Sequence, residues 1–294
     1  MGRQKRPQKD YFVVQSNQLV RYIRHDMKRQ QQRVYFFLAS LITGNDLPDQ
    51  VYHIKPESLM QFLGMQSDGG KNYRAIDDIL KYLRDHSQWI RNERGNREVI
   101  SVLQSVEFNE ETKEYDVQFH RLITPHLFNL VSNYTTARLE VLDVFTGVYS
   151  AELYGFLLSF FTENYSKHTE KVFSINELKE RLHAEKHERY PDFRRYVIEN
   201  AIAEINSYSD CMKVDYEPLK TGNRTDRIKF IMDPISDKEA YLNLQMRRIQ
   251  TEYLTDHKKG KGRPKKMTVD KDQLEVDEEQ IKKEWEKKNW DLPY

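Results

Sequence analysis

The chain has 294 residues, 38% hydrophobic and 32% charged, with 18 Tyr and 14 Phe, enough apolar and aromatic mass for two ordinary domains and too much for general disorder. Its single cysteine, Cys211, excludes an intrachain disulfide and a cysteine-based metal cluster, and no apolar run reaches the roughly 18 residues of a membrane span. The net charge of +1 hides segregation: residues 267–294 hold 5 cations against 9 anions, 258–266 (KKGKGRPKK) hold six cations in nine residues, and 1–33 hold nine cations against two anions. Local patches, not the total, set the field that a phosphate backbone meets.

After a basic N-terminal arm at 1–11, which no apolar stretch follows as it would in a secretory signal, residues 16–42 read as one helix or two in series. Leu19, Ile23, Val34, Phe37, Leu38 and Leu41 recur there at three- and four-residue steps. TGNDLPDQ is a loop and VYHI a short strand. Pro56 and Glu57 open a helix that ends near Gly64. QSDGGKN is a turn, and 72–86 form a helix with Ile76, Ile79, Leu80 and Leu83 on one face. Strands are expected at 88–93 and 97–108, joined by Arg94-Gly95-Asn96, and at 114–120. A short helix is expected at 123–132, and 134–136 read as a joint.

Beyond the joint the order repeats. Residues 137–162 are helical, KVF is a short strand, and Ser174 and Glu177 have the spacing of a capping box. HAEKHERYP is a turn and 192–206 a helix. Strands at 211–217 and 226–232 flank a Gly222-Asn223 turn, and 236–256 form a further helix with Leu242, Met246, Ile249 and Tyr253 on one side. Helix, strand, helix, turn, helix and hairpin therefore occur twice, and the basic hairpin NERGNREVISVL (92–103) echoes LKTGNRTDRIKF (219–230). The expected fold is α+β: two tandem winged-helix domains, at 12–133 and 134–235, with a basic and then acidic C-terminal tail from 236. Such a pattern serves nucleic acid, and equally a protein partner.

On the helix at 192–206, Phe193, Val197, Ile198, Ala201, Ile202 and Ile205 crowd one side, while Arg195, Tyr196, Glu199, Asn200 and Ala203 lie outward. That split suits a recognition helix, whose outward face enters the major groove. Arginine pairs bidentately with guanine, and asparagine with adenine. At about 100° per residue, Arg194 projects toward the apolar side and is expected to reach a phosphate from the helix end. The wing adds Lys220, Arg224 and Arg227 for backbone contacts. The first domain offers Arg94 and Arg97 on its hairpin and Arg74 on its corresponding helix.

The chain resembles the iteron-binding, theta-type plasmid replication initiators, a family with two winged-helix domains. The carrying stretches are SNQLVRYIRHDMKRQQQRVYFFLASLI near the start, VYSAELYGFLLSFF at 148–161, FSINELKERL at 173–182, and YPDFRRYVIENAIAEINSYSD at 190–210 with its Glu204-Ile205-Asn206. The resemblance spans about residues 12–233. It departs at Glu152, where a basic residue is common, and at His183-Ala184, where a glycine often ends the helix. The latter implies a longer or differently shaped turn. The resemblance implies binding to directly repeated origin sites as a monomer, opening of adjacent AT-rich duplex, and recruitment of a host initiator ATPase and the replicative helicase. It also implies a homodimer, in equilibrium with monomer, that binds an inverted repeat and represses its own gene. The alternatives are a winged-helix transcriptional repressor without a replication role and a tandem winged-helix scaffold. A bacterial cytoplasmic location is expected, with no membrane partner.

No enzymatic activity or cofactor is expected. DNA nicking by a rolling-circle initiator requires His-x-His and a nucleophilic tyrosine, and the nine histidines never fall in that pattern. His183 and His187 lie four apart but in a turn. GMQSDGGKN (64–72), with Lys71, departs from the phosphate-loop pattern. In the tail, KKGKGRPKKM resembles an AT-hook that would place Arg263 in a narrow minor groove, but reads more readily as a nonspecific basic linker. The acidic stretch with Trp285 and Trp290 suits a short partner-binding helix or disorder.

Overall fold

The computed structural model describes residues 11–22, 26–65, 70–91 and 96–257. Arg94, Arg263, the basic arm at 1–10, the basic segment at 258–266 and the acidic tail lie outside the described residues, as does the side chain of Arg97. The described residues form two compact units, Tyr11–Leu139 and Glu140–His257.

In the first unit, β1 (Phe12–Ser16) pairs antiparallel with β7 (Tyr134–Arg138), with Phe12 opposite Arg138 and Ser16 opposite Tyr134. The expected joint at 134–136 is therefore a strand, and the units divide after Leu139 rather than at 133. Alternation decides it: Thr135 and Ala137 are buried while their neighbours are not, and the Thr135 hydroxyl donates to Asn17 at 2.6 Å. Two helices in series follow β1, α1 (Asn17–Tyr22) and α2 (Arg29–Ser40).

The helix-turn-helix comes next: β2 (Val51–Ile54), α3 (Pro56–Leu63) and α4 (Gly70–Asp85). Proline occupies the first turn of α3, where its missing N–H is harmless. Ile76, Ile79, Leu80 and Leu83 of α4 are buried, as their spacing predicts. Arg33, one of the nine cations before residue 34, caps α3 by donating to the carbonyls of Phe62 at 2.7 Å and Leu63 at 3.3 Å, so that cation serves the fold.

The expected strand at 97–108 is two. β3 (Ser87–Arg91) and β4 (Arg97–Ser101) form a separate ribbon. After buried Val102, β5 (Leu103–Asn109) enters another sheet with β6 (Glu114–Phe119), in the order β2-β6-β5. Of the expected helix at 123–132, only a 3₁₀ turn forms, at Thr124–His126.

The expected helix at 137–162 is likewise broken, into α5 (Leu139–Val144) and α6 (Val148–Glu163), with Gly147 as the extended N-cap of α6. In the second unit follow β8 (Thr169–Ser174) and α7 (Ile175–Arg181), whose N-cap Ser174 accepts from Glu177 N at 3.1 Å. Then come α8 (Tyr190–Phe193), a π-helical turn (Arg194–Glu199) and α9 (Asn200–Tyr208), one continuous helical run. β9 (Met212–Thr221) and β10 (Arg224–Pro234) complete a sheet in the order β8-β10-β9. Ile228, Phe230 and Met232 of β10 alternate into the core.

Both sheets thus run first strand, third strand, second strand. Even a cross-strand pair recurs: His53 to Asp116 at 2.6 Å, and His168 to Asp233 at 2.6 Å. The counterpart of the β9–β10 hairpin is β5–β6. The hairpin that echoes it in sequence, β3–β4, is an insert between α4 and the sheet, so Arg97 at the start of β4 does not belong to the first wing.

The helix ends repeat too. After α3, Gly64 takes φ +64°, with its N–H on Gln61 O at 3.0 Å and that of Met65 on Met60 O at 2.7 Å. After α7, His183 takes φ +49°, with its N–H on Glu180 O at 3.4 Å and that of Ala184 on Lys179 O at 2.8 Å. These are the paired bonds of a Schellman motif. The departure at His183 therefore leaves the turn's shape intact, against the expectation of a longer one, with a residue that tolerates the left-handed region less readily than glycine. Gly64→Ala, which puts the same demand on the first unit, is expected to destabilise it by about 1 kcal/mol, read as a lower urea midpoint.

The last helix, α10 (Asp237–His257), docks through a face of mixed polar and apolar groups rather than along the expected Leu242-Met246-Ile249-Tyr253 stripe. Met246 of that set is buried, with Ala240, Tyr241, Asn243, Arg247 and Gln250. The carbonyls that end α9 need donors: Asn243 donates to Ser209 O and Arg247 to Tyr208 O, each at 2.7 Å, and Arg247 also meets Glu140 at 2.9 Å.

Candidate nucleic-acid interface

The outward surface of the second unit starts from the spacing of Phe193, Val197, Ala201 and Ile205, four residues apart at each step and all buried. In an α-helix, four-residue steps drift by about 40° each. The π-helical turn at 194–199, with more residues per turn, takes up part of that drift. It leaves Arg194, Arg195 and Tyr196 as three successive exposed residues between buried Phe193 and Val197. Arg194 thus points outward, not toward the apolar side as a uniform helical wheel predicts. Arg195, Tyr196, Glu199, Asn200 and Ala203 are exposed, as expected.

The two arginines differ. Arg194 Nε lies 3.3 Å from Glu199, which also accepts the Tyr216 hydroxyl at 2.9 Å. Burial, and then that bond, push the Tyr216 hydroxyl up to about 12, so it stays a donor near neutral pH. Glu199 thereby ties the helical run at 190–208 to β9, the stem of the wing. Arg195 pairs with no carboxylate among the described residues. Its Cζ lies 5.6 Å from the Tyr196 ring centre. Asn200 uses one amide hydrogen on the Tyr196 carbonyl, at 3.3 Å, and keeps its oxygen and second hydrogen for a partner.

The wing turns at Gly222, φ +61°, the backbone a two-residue hairpin needs at that position. Arg224 stands opposite Thr221, Thr225 opposite Lys220 and Arg227 opposite Leu219, with Asp226 as the extra residue of a bulge. Paired residues share a sheet face, so Arg224 and Arg227 lie on one face of the tip and Lys220 on the other. Charge is balanced in the stem and unbalanced at the tip. Lys229 sits 2.8 Å from Glu217 and 3.3 Å from Glu170, Arg227 lies 3.7 Å from Asp226, and Lys220 and Arg224 meet no carboxylate among the described residues.

The first unit differs. Its wing tip carries Glu110, Glu111 and Glu114 against Lys113, which is itself paired with Glu110 at 2.6 Å. On α4, Arg74 is exposed together with Lys71, Lys81 and Arg84, but so are Asp77, Asp78 and Asp85, and the helix surface is of mixed charge. Basic character on both wings is therefore not found. The sequence reading placed Glu199 outward but missed its link to Tyr216, which joins segments 17 residues apart without a spacing signal.

Among the described residues, no three His, Cys, Asp or Glu side chains group to hold a metal ion, and no helix is long and apolar enough to cross a membrane.

Residues 12–159 match the family model of the first winged-helix domain (WH1) of the initiator replication proteins, and residues 174–232 the model of the second (WH2). A crystal structure of the Pi initiator protein in complex with iteron DNA resembles this chain with a TM-score of 0.64 at 20% identity, over 78% of this chain and 98% of that one. At that identity the likeness speaks for the fold. No curated protein matches the chain.

Proposed function

The chain belongs to the family of initiator replication proteins, and on that premise we propose that it initiates plasmid replication by binding directly repeated sites at the origin. The carrying observation is the second unit's surface: a helix with Arg195, Tyr196 and Asn200 outward, tied through Glu199 to a wing whose Lys220 and Arg224 meet no carboxylate among the described residues. Arg195 and Asn200 suit base edges, and the wing tip suits phosphates. The Pi protein, with the same fold, binds iteron DNA, which supports repeats as the target here.

Two modules on one chain suit a long site, because the second contact becomes intramolecular and raises avidity by roughly 10²–10⁴. The finer steps belong to the same proposal. The bound chain opens adjacent AT-rich duplex, recruits a host initiator ATPase and the replicative helicase, and as a dimer represses its own gene from an inverted repeat. The action is by binding, in the bacterial cytoplasm.

Footprinting on the DNA flanking the gene tests the core of this. Protection of tandem repeats is expected, together with maintenance of an origin plasmid when the gene is supplied in trans. Absence of protection sinks the proposal. Protection without plasmid maintenance reduces it to a repressor. Within the site, Arg195→Ala is expected to weaken repeat binding about tenfold or more, the worth of a bidentate base contact. Arg194→Ala, which removes a cation already paired with Glu199, is expected to weaken it less. Equilibrium titration of both variants against one repeat decides the order.

A further inference from the structure

Three rings meet beside Arg195, from three different parts of the second unit. Tyr196 comes from the π-helical turn, His187 from the turn between α7 and α8, and Tyr149 from the second position of α6. The Tyr196 and His187 rings stack, with centres 5.9 Å apart and planes 26° apart. Tyr149 meets His187 edge-on at 6.3 Å and 72°. Lys186 Nζ lies 5.9 Å from the Tyr149 ring and Arg195 Cζ 5.6 Å from that of Tyr196. Burial first, and Lys186 second, hold His187 below the ordinary histidine value, against the opposing pull of Asp192.

Tyr196 is nevertheless 50% exposed. It stands between Arg195 and Asn200 on the face presented to the groove. A stacked ring has few rotamers left, so its outward edge is held in one place before anything binds. The floor of the major groove offers hydrogen-bonding edges and one apolar group, the 5-methyl of thymine. Resting on the reading of the second unit as a DNA reader, we infer that Tyr196 senses a thymine methyl and that His187, backed by Tyr149, is the positioning residue that holds its ring.

The test uses the full chain and a duplex carrying one protected repeat, with each thymine replaced in turn by uracil, which lacks only the methyl. At one or two positions the wild-type chain is expected to bind uracil about fourfold more weakly, the worth of burying one methyl. Tyr196→Phe keeps that ratio, because the contact uses the ring. Tyr196→Ala, with an unchanged thermal midpoint, brings the ratio to about one there. His187→Ala shrinks the ratio while leaving affinity for unrelated duplex unchanged, which a merely structural loss would not do. A wild-type ratio of about one at every thymine, or an undiminished ratio in Tyr196→Ala, overturns the inference. An undiminished ratio in His187→Ala overturns the positioning role. Failure of the wild-type chain to prefer the unmodified repeat over unrelated duplex overturns instead the reading of function on which this rests.

Discussion

Replacing Glu204 by alanine is expected to lower the stability of the second unit by about 3 kcal/mol, seen as an earlier urea transition. Glu204 is 8% exposed, in the middle of α9. One of its oxygens accepts the backbone N–H of Thr146 at 3.1 Å and the Thr146 hydroxyl; the other accepts the N–H of Gly147 at 3.2 Å. These donors stand at the N-terminus of α6, where the helix dipole favours a negative charge. Alanine leaves two backbone donors facing an empty space, and each unsatisfied buried group costs on the order of 1–3 kcal/mol. The hydroxyl can turn elsewhere. Glu204→Gln keeps an acceptor for one of the donors and is expected to lose about half as much.

Gly147→Ala approaches the same joint from the other side. A Cβ there would lie 2.8 Å from the Ser150 hydroxyl oxygen and 3.3 Å from Glu204 Oε2, and Ser150 is 2% exposed. The Ser150 hydroxyl must turn away and the carboxylate must give by a few tenths of an ångström, so this variant should weaken the same bonds. Neither Glu204 nor Gly147 belongs to the outward face. Both variants should therefore bind repeat DNA like the wild type at temperatures well below their transitions. A transition unmoved in Glu204→Ala defeats this account, as does lost binding by fully folded protein.

Glu204 also shows why some of the site could be read from the sequence and some could not. The Glu204-Ile205-Asn206 triplet carries much of the family resemblance, yet each residue serves the fold. Glu204 holds the α5–α6 corner, and Ile205 is fully buried. Asn206 exchanges two 2.8 Å bonds with the backbone of Val214, fixing α9 to β9. Motif recognition located the unit without locating its contacts. Periodicity did well wherever a single period ruled: α3, α4, β2, β6 and the β9–β10 wing.

It failed where a distant partner decided. Arg94-Gly95-Asn96 is a good local turn signal, but which hairpin becomes the first wing depends on which strand pairs with β2. β6 does, with Val117 and Phe119 buried in the core. Arg194 was misplaced because a wheel of constant pitch cannot contain a π-helical turn. The buried side of α10 was misjudged because Arg247 and Asn243 are drawn in by unfilled carbonyls at the end of α9, not by hydrophobicity.

The contrast between the wings leads to the other large effect. With Lys220, Arg224 and Arg227 all changed to alanine, affinity for repeat DNA is expected to fall about 10²-fold at roughly 0.15 M salt, and the slope of log K against log salt to flatten by about 2–3 units. Each phosphate contact releases counterions worth roughly 0.9 in that slope, and Arg227 should contribute the least because Asp226 lies 3.7 Å away. These residues are exposed, so the folded state should survive and unrelated duplex should be weakened as much as repeat DNA. In the first wing, Glu110→Ala with Glu111→Ala removes carboxylates that repel phosphate, and binding should hold or tighten slightly. If the triple variant keeps the wild-type slope, the second wing does not touch the backbone. If the double variant loses affinity, the acidic first wing contributes to binding in a way that charge alone does not explain.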